Sequence, residues 1–163
     1  MKKKKLSIVA ADMVGFSRLI EEDELNTLNR QKAIIQNIID PKLKKNNGKL
    51  IKTTGDGFLA IFENCDDSLS FCVEIQNQII DQEKIIIPEK KIWYRIGINY
   101  GEIILENDDI YGNEVNIASR VESICESGGI SITSSVKKNL TEKKIKLKNI
   151  GYQILKNIKT PIE

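Results

Sequence analysis

The chain has no histidine among its 163 residues. That absence excludes an imidazole general base, the usual serine and cysteine triads and histidine metal sites. Any metal must then sit on carboxylates and backbone oxygens, the ligands of hard ions such as Mg²⁺ or Mn²⁺. Cysteine is scarce and odd in number: Cys65, Cys72 and Cys125 form no CxxC pair and are expected as reduced, mostly buried thiols. Long apolar runs are missing too. LSIVAA from Leu6 stops at Asp12, too short for a signal-peptide core or a membrane span, so a cytoplasmic protein without membrane contact is expected. No charge sign dominates, with 25 Lys+Arg against 23 Asp+Glu and a net charge of +2. No nucleic-acid partner is expected, and the Lys2 to Lys5 run reads as a solvated start rather than a binding patch. There is no internal repeat and no low-complexity segment. The length fits one domain over 1–163, large enough for a single core and without an added sensor domain.

The most informative stretch is KLIKTTGDGFLAIF from Lys49. Two apolar runs flank Gly55-Asp56-Gly57, the pattern of a β-hairpin, and the two glycines are expected to take positive φ and present Asp56 at the tip of a tight turn. An acid on a rigid turn is placed to hold a metal. Asp-Gly is also ordinary turn chemistry, and Lys52 an ordinary solvated strand residue, so the hairpin alone leaves both readings open. A buried strand over 6–13 runs into Asp12, which puts a second aspartate at a strand end. Val14-Gly15-Phe16-Ser17 then reads as a loop entering a helix, where Gly15 allows close backbone approach and free N–H groups face an anion.

Helical spacing predicts a long amphipathic helix over 24–45, bent or interrupted at Pro41, and another over 66–80. The IIIP stretch ending at Pro88 is expected to pack against the sheet edge. Strands are expected over 92–105, at 130–133 and, closing the sheet, over 145–155, with a helix over 111–126. Hairpins between helices that can cover one face fit an α+β sandwich better than a doubly wound sheet. On that last helix Asn116 and Arg120 lie four apart and share a face. Together they form a fork of donors suited to a phosphate, or else Arg120 pairs with an acid such as Glu114 or Glu122.

Five ordered blocks carry a family resemblance: ADMVGFSRL from Ala11, KLIKTTGDGFLAIF from Lys49, YRIGINYGEI from Tyr94, DDIYGNEVNIASRVES from Asp108 and ILKNIKTP from Ile154. Over nearly its whole length the chain resembles class III nucleotidyl cyclase catalytic domains, most closely the bacterial adenylate cyclase homology domains. The resemblance implies a ferredoxin-like antiparallel sheet with helices on one face. It implies that Asp12 and Asp56, helped by the Met13 carbonyl, bind two divalent ions, Mg²⁺ or Mn²⁺, and that Gly15 and Phe16 meet the substrate. Lys52 and Asp109 match the pair that reads adenine, Asn116 the residue that orients the ribose, Arg120 the one that stabilises the α-phosphate and Lys156 the one that grips the β,γ-phosphates. The implied reaction turns ATP into 3′,5′-cyclic AMP and pyrophosphate. The implied active form is a homodimer whose metal-binding aspartates and base-reading residues come from different chains. FLAIF, apolar on both faces, is expected to need more than one helical layer to cover it. The chain stops at Glu163 where family members continue through another strand, so the last edge is expected to be absent or supplied differently. Two alternatives stay open at this point: a silent nucleotide-binding homologue, and a cyclase acting on GTP or a pyrimidine triphosphate.

Overall fold

Strand β1 (Lys2–Met13) is the centre of the sheet because its side chains are apolar in both directions, Leu6, Ile8 and Ala10 toward one face and Val9, Ala11 and Met13 toward the other. The computed structural model describes every residue except 142–144, 154 and 157. β1 pairs antiparallel with β3 (Gly57–Phe62), setting Asp12 opposite Gly57, and with β4 (Tyr94–Glu106), setting Asp12 opposite Arg95. β2 (Lys49–Thr53) extends the sheet beyond β3, and β5 (Asp109–Tyr111) pairs with β4 in the order β2-β3-β1-β4-β5. β6 (Ile130–Ile132) adds one parallel pairing to β4.

The larger core lies on the face where Phe58, Phe62, Tyr94 and Ile96 meet α2 (Glu24–Ile34), the π-helical turn Ile35–Ile39, α3 (Asp40–Lys45) and α4 (Cys65–Gln82). Phe71 and Ile75 of α4 are fully buried there, each such side chain contributing about 1.5–3 kcal/mol relative to exposure. The expected helix over 24–45 is continuous but changes pitch before Pro41. The Asp40 N–H bonds to the Ile35 carbonyl, a wider turn that accommodates a residue without an amide hydrogen.

On the opposite face a second cluster, Leu6, Ile8, Leu59, Ile61, Ile103 and Ile110, is roofed by Ala118 of α5 (Asn113–Ser123). The α+β class holds, but the expectation of helices on one face is corrected: α2–α4 cover one face and α5 lies across part of the other, because β1 and β3 are apolar on both sides. FLAIF is covered by more than one layer, as expected, but both layers belong to one chain: Leu59 and Ile61 are 7% and 8% exposed, so that strand does not by itself call for a partner.

Three other expectations change. The Lys2 to Lys5 run is strand, paired with β4 residues Leu105 to Glu102, because its backbone completes the ladder while its side chains stay largely in solvent. Ile85 and Ile87 are 90% and 56% exposed rather than packed on the sheet edge. The described residues of 145–155 form no strand; Gln153 makes an isolated bridge with Ile162, the sheet edge beside β4 being occupied instead by β5 and β6. All three cysteines are free and buried. Among the described residues no helix is long and apolar enough to cross a membrane.

Sheet curvature prepares the site. β2 and β5 stand at opposite ends of the strand order, yet Lys49 and Asp108 are 3.3 Å apart and Lys52 and Asp109 2.9 Å apart. The β4–β5 hairpin turns through Asn107 and Asp108, both at left-handed φ (50° and 60°), which sharpens the twist and brings Asp109 back toward β2.

Candidate active site

Where β1 ends, Asp12 and Asp56 are clipped together by backbone. The Met13 N–H donates to the Asp56 carbonyl at 2.8 Å, and the Thr54 N–H donates to the Gly57 carbonyl at 2.9 Å, closing the β2–β3 turn. From α2, the Gln31 side-chain amide donates to the Gly55 carbonyl at 2.9 Å and ties the turn down. Neither Gly55 nor Gly57 uses positive φ, contrary to expectation. Gly57 is required for a different reason: a Cβ there would stand 2.0 Å from the Ala11 carbonyl oxygen.

The two aspartates share a cleft of about 850 Å³ on the α5 side of the sheet, walled by Ala10, Phe58, Leu59, Ile110 and Val115 and presenting Lys52, Tyr111, Asn116 and Glu122. Its size suits a nucleotide-sized ligand. Burial first, then a hydrogen bond and the charge of Asp56, push the Asp12 carboxyl up to about 6, against the relief supplied by the Met13 amide and Arg95. Glu122 goes up to about 7, again by burial first, then by Asp12. Three acids converging, with Arg95 as the opposing charge on Asp12 and Glu122, make this end of the cleft favour incoming positive charge. Among the described residues no three acidic or thiol groups are close enough to chelate one ion by themselves. The donor set therefore fits a hard divalent cation held by two carboxylates and completed by other oxygens, as Mg²⁺ is when it travels with substrate phosphates.

Lys52 donates to both oxygens of Asp109, at 2.9 and 3.0 Å, so the two residues singled out as a base-reading pair do meet. Asp109 is held below the usual carboxylate range chiefly by that lysine, then by the Ile110 amide. Asn116 lines the cleft. Arg120, one helical turn on, is half-buried and does not line it, nor does it pair with Glu114 or Glu122; the Glu114 carboxylate instead accepts from Asn99 at 2.7 Å. Gly15 (φ 64°) caps α1 (Phe16–Glu22) on which Phe16 is first, and neither lines the cleft; Lys156 is exposed and does not line it either. Of the block around Lys156, Ile154 and Asn157 lie outside the described residues.

Sequence reasoning missed Glu122, Arg95 and Gln31. A signal existed for the first: Val115, Ser119 and Glu122 fall at i, i+4, i+7, the same helical face as the cleft. That face can reach the aspartates because Gly97 of β4 lets α5 rest on bare backbone. A Cβ at Gly97 would meet the Glu122 amide nitrogen at 2.3 Å and the Ala118 carbonyl oxygen at 2.6 Å.

Comparison with known proteins agrees with this geometry. A putative adenylate cyclase 3 of Rhizobium meliloti is 31% identical over 157 residues, 96% of this chain, and the chain spans only 27% of that relative's length. A solved adenylate/guanylate cyclase/hydrolase from Silicibacter pomeroyi is 40% identical with a TM-score of 0.89, covering 99% of this chain and 95% of that one. The adenylyl cyclase CyaB from P. aeruginosa, 24% identical with a TM-score of 0.82 over 99% of this chain and 92% of that one, shares the fold. Residues 1–162 match the family described as the adenylate and guanylate cyclase catalytic domain, and the chain belongs to that family.

Proposed function

We propose that the chain is a single catalytic domain that cyclises ATP to 3′,5′-cyclic AMP and pyrophosphate, in a cleft completed by a second copy. The observation that carries this reading is the junction of Asp12 with Asp56 in a cleft that Lys52 also lines, Lys52 being bonded in turn to Asp109. In the reaction the ribose 3′-oxygen bonds to the α-phosphorus, the bond from that phosphorus to the β-bridging oxygen breaks, and the 3′-hydroxyl proton leaves to solvent. When bound, two divalent ions, Mg²⁺ or Mn²⁺, supply acidification of the 3′-hydroxyl and charge neutralisation at the phosphates. Asp12, Asp56 and the Met13 carbonyl hold them.

Lys52 donates to a ring nitrogen of adenine while Asp109 accepts from the exocyclic amino group. Guanine turns an oxygen toward Asp109 in place of that donor, and is disfavoured. Asn116 orients the ribose, Arg120 stabilises charge at the α-phosphate, and Lys156 with the main chain at Gly15 and Phe16 binds the rest of the triphosphate. The aspartates of one copy work with Lys52, Asp109, Asn116 and Arg120 of a partner related by a two-fold axis, a division supported by Arg120, which does not line its own chain's cleft. With no histidine, the acceleration rests on positioning and charge stabilisation rather than on a strong side-chain base. A cytoplasmic setting, without nucleic acid or membrane as partner, belongs to the same reading.

The test is a product assay on purified protein with Mn²⁺ and each of four nucleoside triphosphates, at several protein concentrations. Cyclic AMP from ATP, at a rate per chain that rises with concentration, is the expected result. No cyclic product from any nucleotide in a dimeric sample overturns the proposal, and preference for another base overturns the roles of Lys52 and Asp109.

A further inference from the structure

The buried face of α2 carries Thr27, Gln31 and Ile34, at i, i+4 and i+7, so a position suited to an aliphatic side chain holds an amide instead. Burying an amide is unfavourable unless it is hydrogen-bonded. Thr27 uses its hydroxyl within the helical layer, on the Leu19 carbonyl at 3.0 Å. Gln31, only 9% exposed, reaches out of that layer to the sheet, where its Nε2 donates to the Gly55 carbonyl at 2.9 Å. Among the described residues this is the one hydrogen bond that joins a helix to the 54–57 turn.

The turn needs a hold at that point. Its base is fixed by backbone, the Thr54 N–H on the Gly57 carbonyl and the Met13 N–H on the Asp56 carbonyl. Gly55 is exposed, and a Cβ on it would meet nothing within 4 Å, so packing does not hold the apex. The pairing of Asp12 with Gly57 across β1 and β3 brings the Asp56 carboxylate against that of Asp12, a like charge that works to open the turn when no cation lies between them. We propose that Gln31 is a positioning residue for the metal site: by pinning the Gly55 carbonyl it keeps Asp56 beside Asp12, so that both carboxylates are set before a divalent cation arrives. The inference rests on the assignment of Asp12 and Asp56 as metal ligands and adds a residue that acts on them from the helical layer rather than from the cleft.

Gln31→Met removes the donor and keeps the length, a good helix former and an apolar body beside Ile35, Phe58 and Tyr94, with which Gln31 lines a small gap. Water can take up the exposed Gly55 carbonyl, so the variant folds. Thr27→Val runs beside it, deleting another buried hydrogen bond of the same helix without touching the turn. Two quantities are read: exchange of the Met13 and Thr54 amide hydrogens by NMR in metal-free protein, and the Mn²⁺ dissociation constant by paramagnetic resonance in nucleotide-free protein. In Gln31→Met both amides should exchange about two- to tenfold faster and Mn²⁺ should bind about two- to tenfold more weakly, the size of one neutral hydrogen bond. At saturating Mn²⁺ its kcat should stay within about twofold of the parent's, and Thr27→Val should match the parent in both readouts. Unchanged exchange or unchanged Mn²⁺ affinity in Gln31→Met overturns the proposal. An equal effect of Thr27→Val marks a general loosening of α2 and overturns it as well. A parent without cyclase activity removes the ATP reading alone, since neither readout needs turnover. A parent whose Mn²⁺ affinity survives Asp56→Ala, or that binds no Mn²⁺, fails the metal assignment and takes this inference with it.

Discussion

Asp12 carries a heavy electrostatic load: a carboxyl partly withdrawn from water, facing another carboxylate, with an arginine across the strand as partial relief. Its folded value near 6 and that of Glu122 near 7 both lie above the ordinary 3.8 and 4.5. The sign follows from linkage: a raised acid stabilises the fold fully below its unfolded value, and that contribution is lost as the pH climbs through the folded one. Without divalent ions the chain should lose stability from these two groups between roughly pH 4 and pH 7, and Mn²⁺ should restore it at the upper end. Asp12→Asn should abolish cyclisation and still melt above the parent at pH 8 without metal, by about 2–4 °C for each kcal/mol of repulsion removed, while the two converge near pH 3, below the ordinary value of 3.8. Thermal melts at the two pH values, with and without Mn²⁺, check this; a parent that melts higher at pH 8 without metal contradicts it. Asp12 and Asp56 were legible in sequence because each is an acid where an apolar run meets a glycine-bearing turn. Glu122 was not, because a glutamate two residues after an arginine reads as a surface ion pair until the packing of its helix is known. Gly57 was read correctly as necessary and for the wrong reason, since sequence cannot tell a glycine that bends the chain from one that lets another strand pass.

The position of α5 decides whether the cleft exists. The helix seats on β4 through Gly97 and Ala118 and is fixed at its start by buried Asn99, whose amide donates to the Glu114 carbonyl at 3.0 Å and carboxylate at 2.7 Å and whose oxygen accepts from Thr133 at 2.8 Å. Gly97→Ala drives a methyl group into backbone that cannot rotate away, so the helix must lift. A cost of about 1–3 kcal/mol is expected from such overpacking. Because Asn116 and Glu122 ride on the same helix, activity should fall by more than tenfold in protein still folded by circular dichroism, and full activity in that variant would refute the seating argument. Elements of this kind were largely readable: α4 and β3 follow from a 3.6-residue period and from unbroken apolar character. The miss at 145–155 has a physical cause. Ile145, Leu147 and Lys146 alternate as a half-buried strand would, but alternation specifies a strand only where a free edge is waiting, and β5 and β6 already flank β4. The converse miss at Lys2 to Lys5 is the same lesson: a run of lysines becomes strand because β4 is long enough to pair with it.

At the scale of the whole molecule the reading turns on which residues one chain brings to its own cleft. Asp12, Asp56, Lys52 and Asn116 line it, whereas Arg120 does not, although it sits a single turn from Asn116 and is not consumed by Glu114 or Glu122. A half-buried guanidinium without either of these partners, placed off the cleft, is what a two-fold assembly would offer to its twin. Complementation tests this directly. Asp56→Ala and Arg120→Ala proteins should each be inactive alone, one lacking a metal ligand in both sites and the other the phosphate contact in both. Mixed in equal amounts, half the dimers are hybrids, and each hybrid holds one site with both defects and one with neither, so activity should return to about a quarter of the parent's. That recovery should be absent at concentrations too low for association and reach its plateau where the parent's rate per chain does. If the mixture stays inactive while sedimentation shows hybrid dimers, then Arg120 serves the cleft of its own chain or none, and the shared site is the wrong description of this molecule.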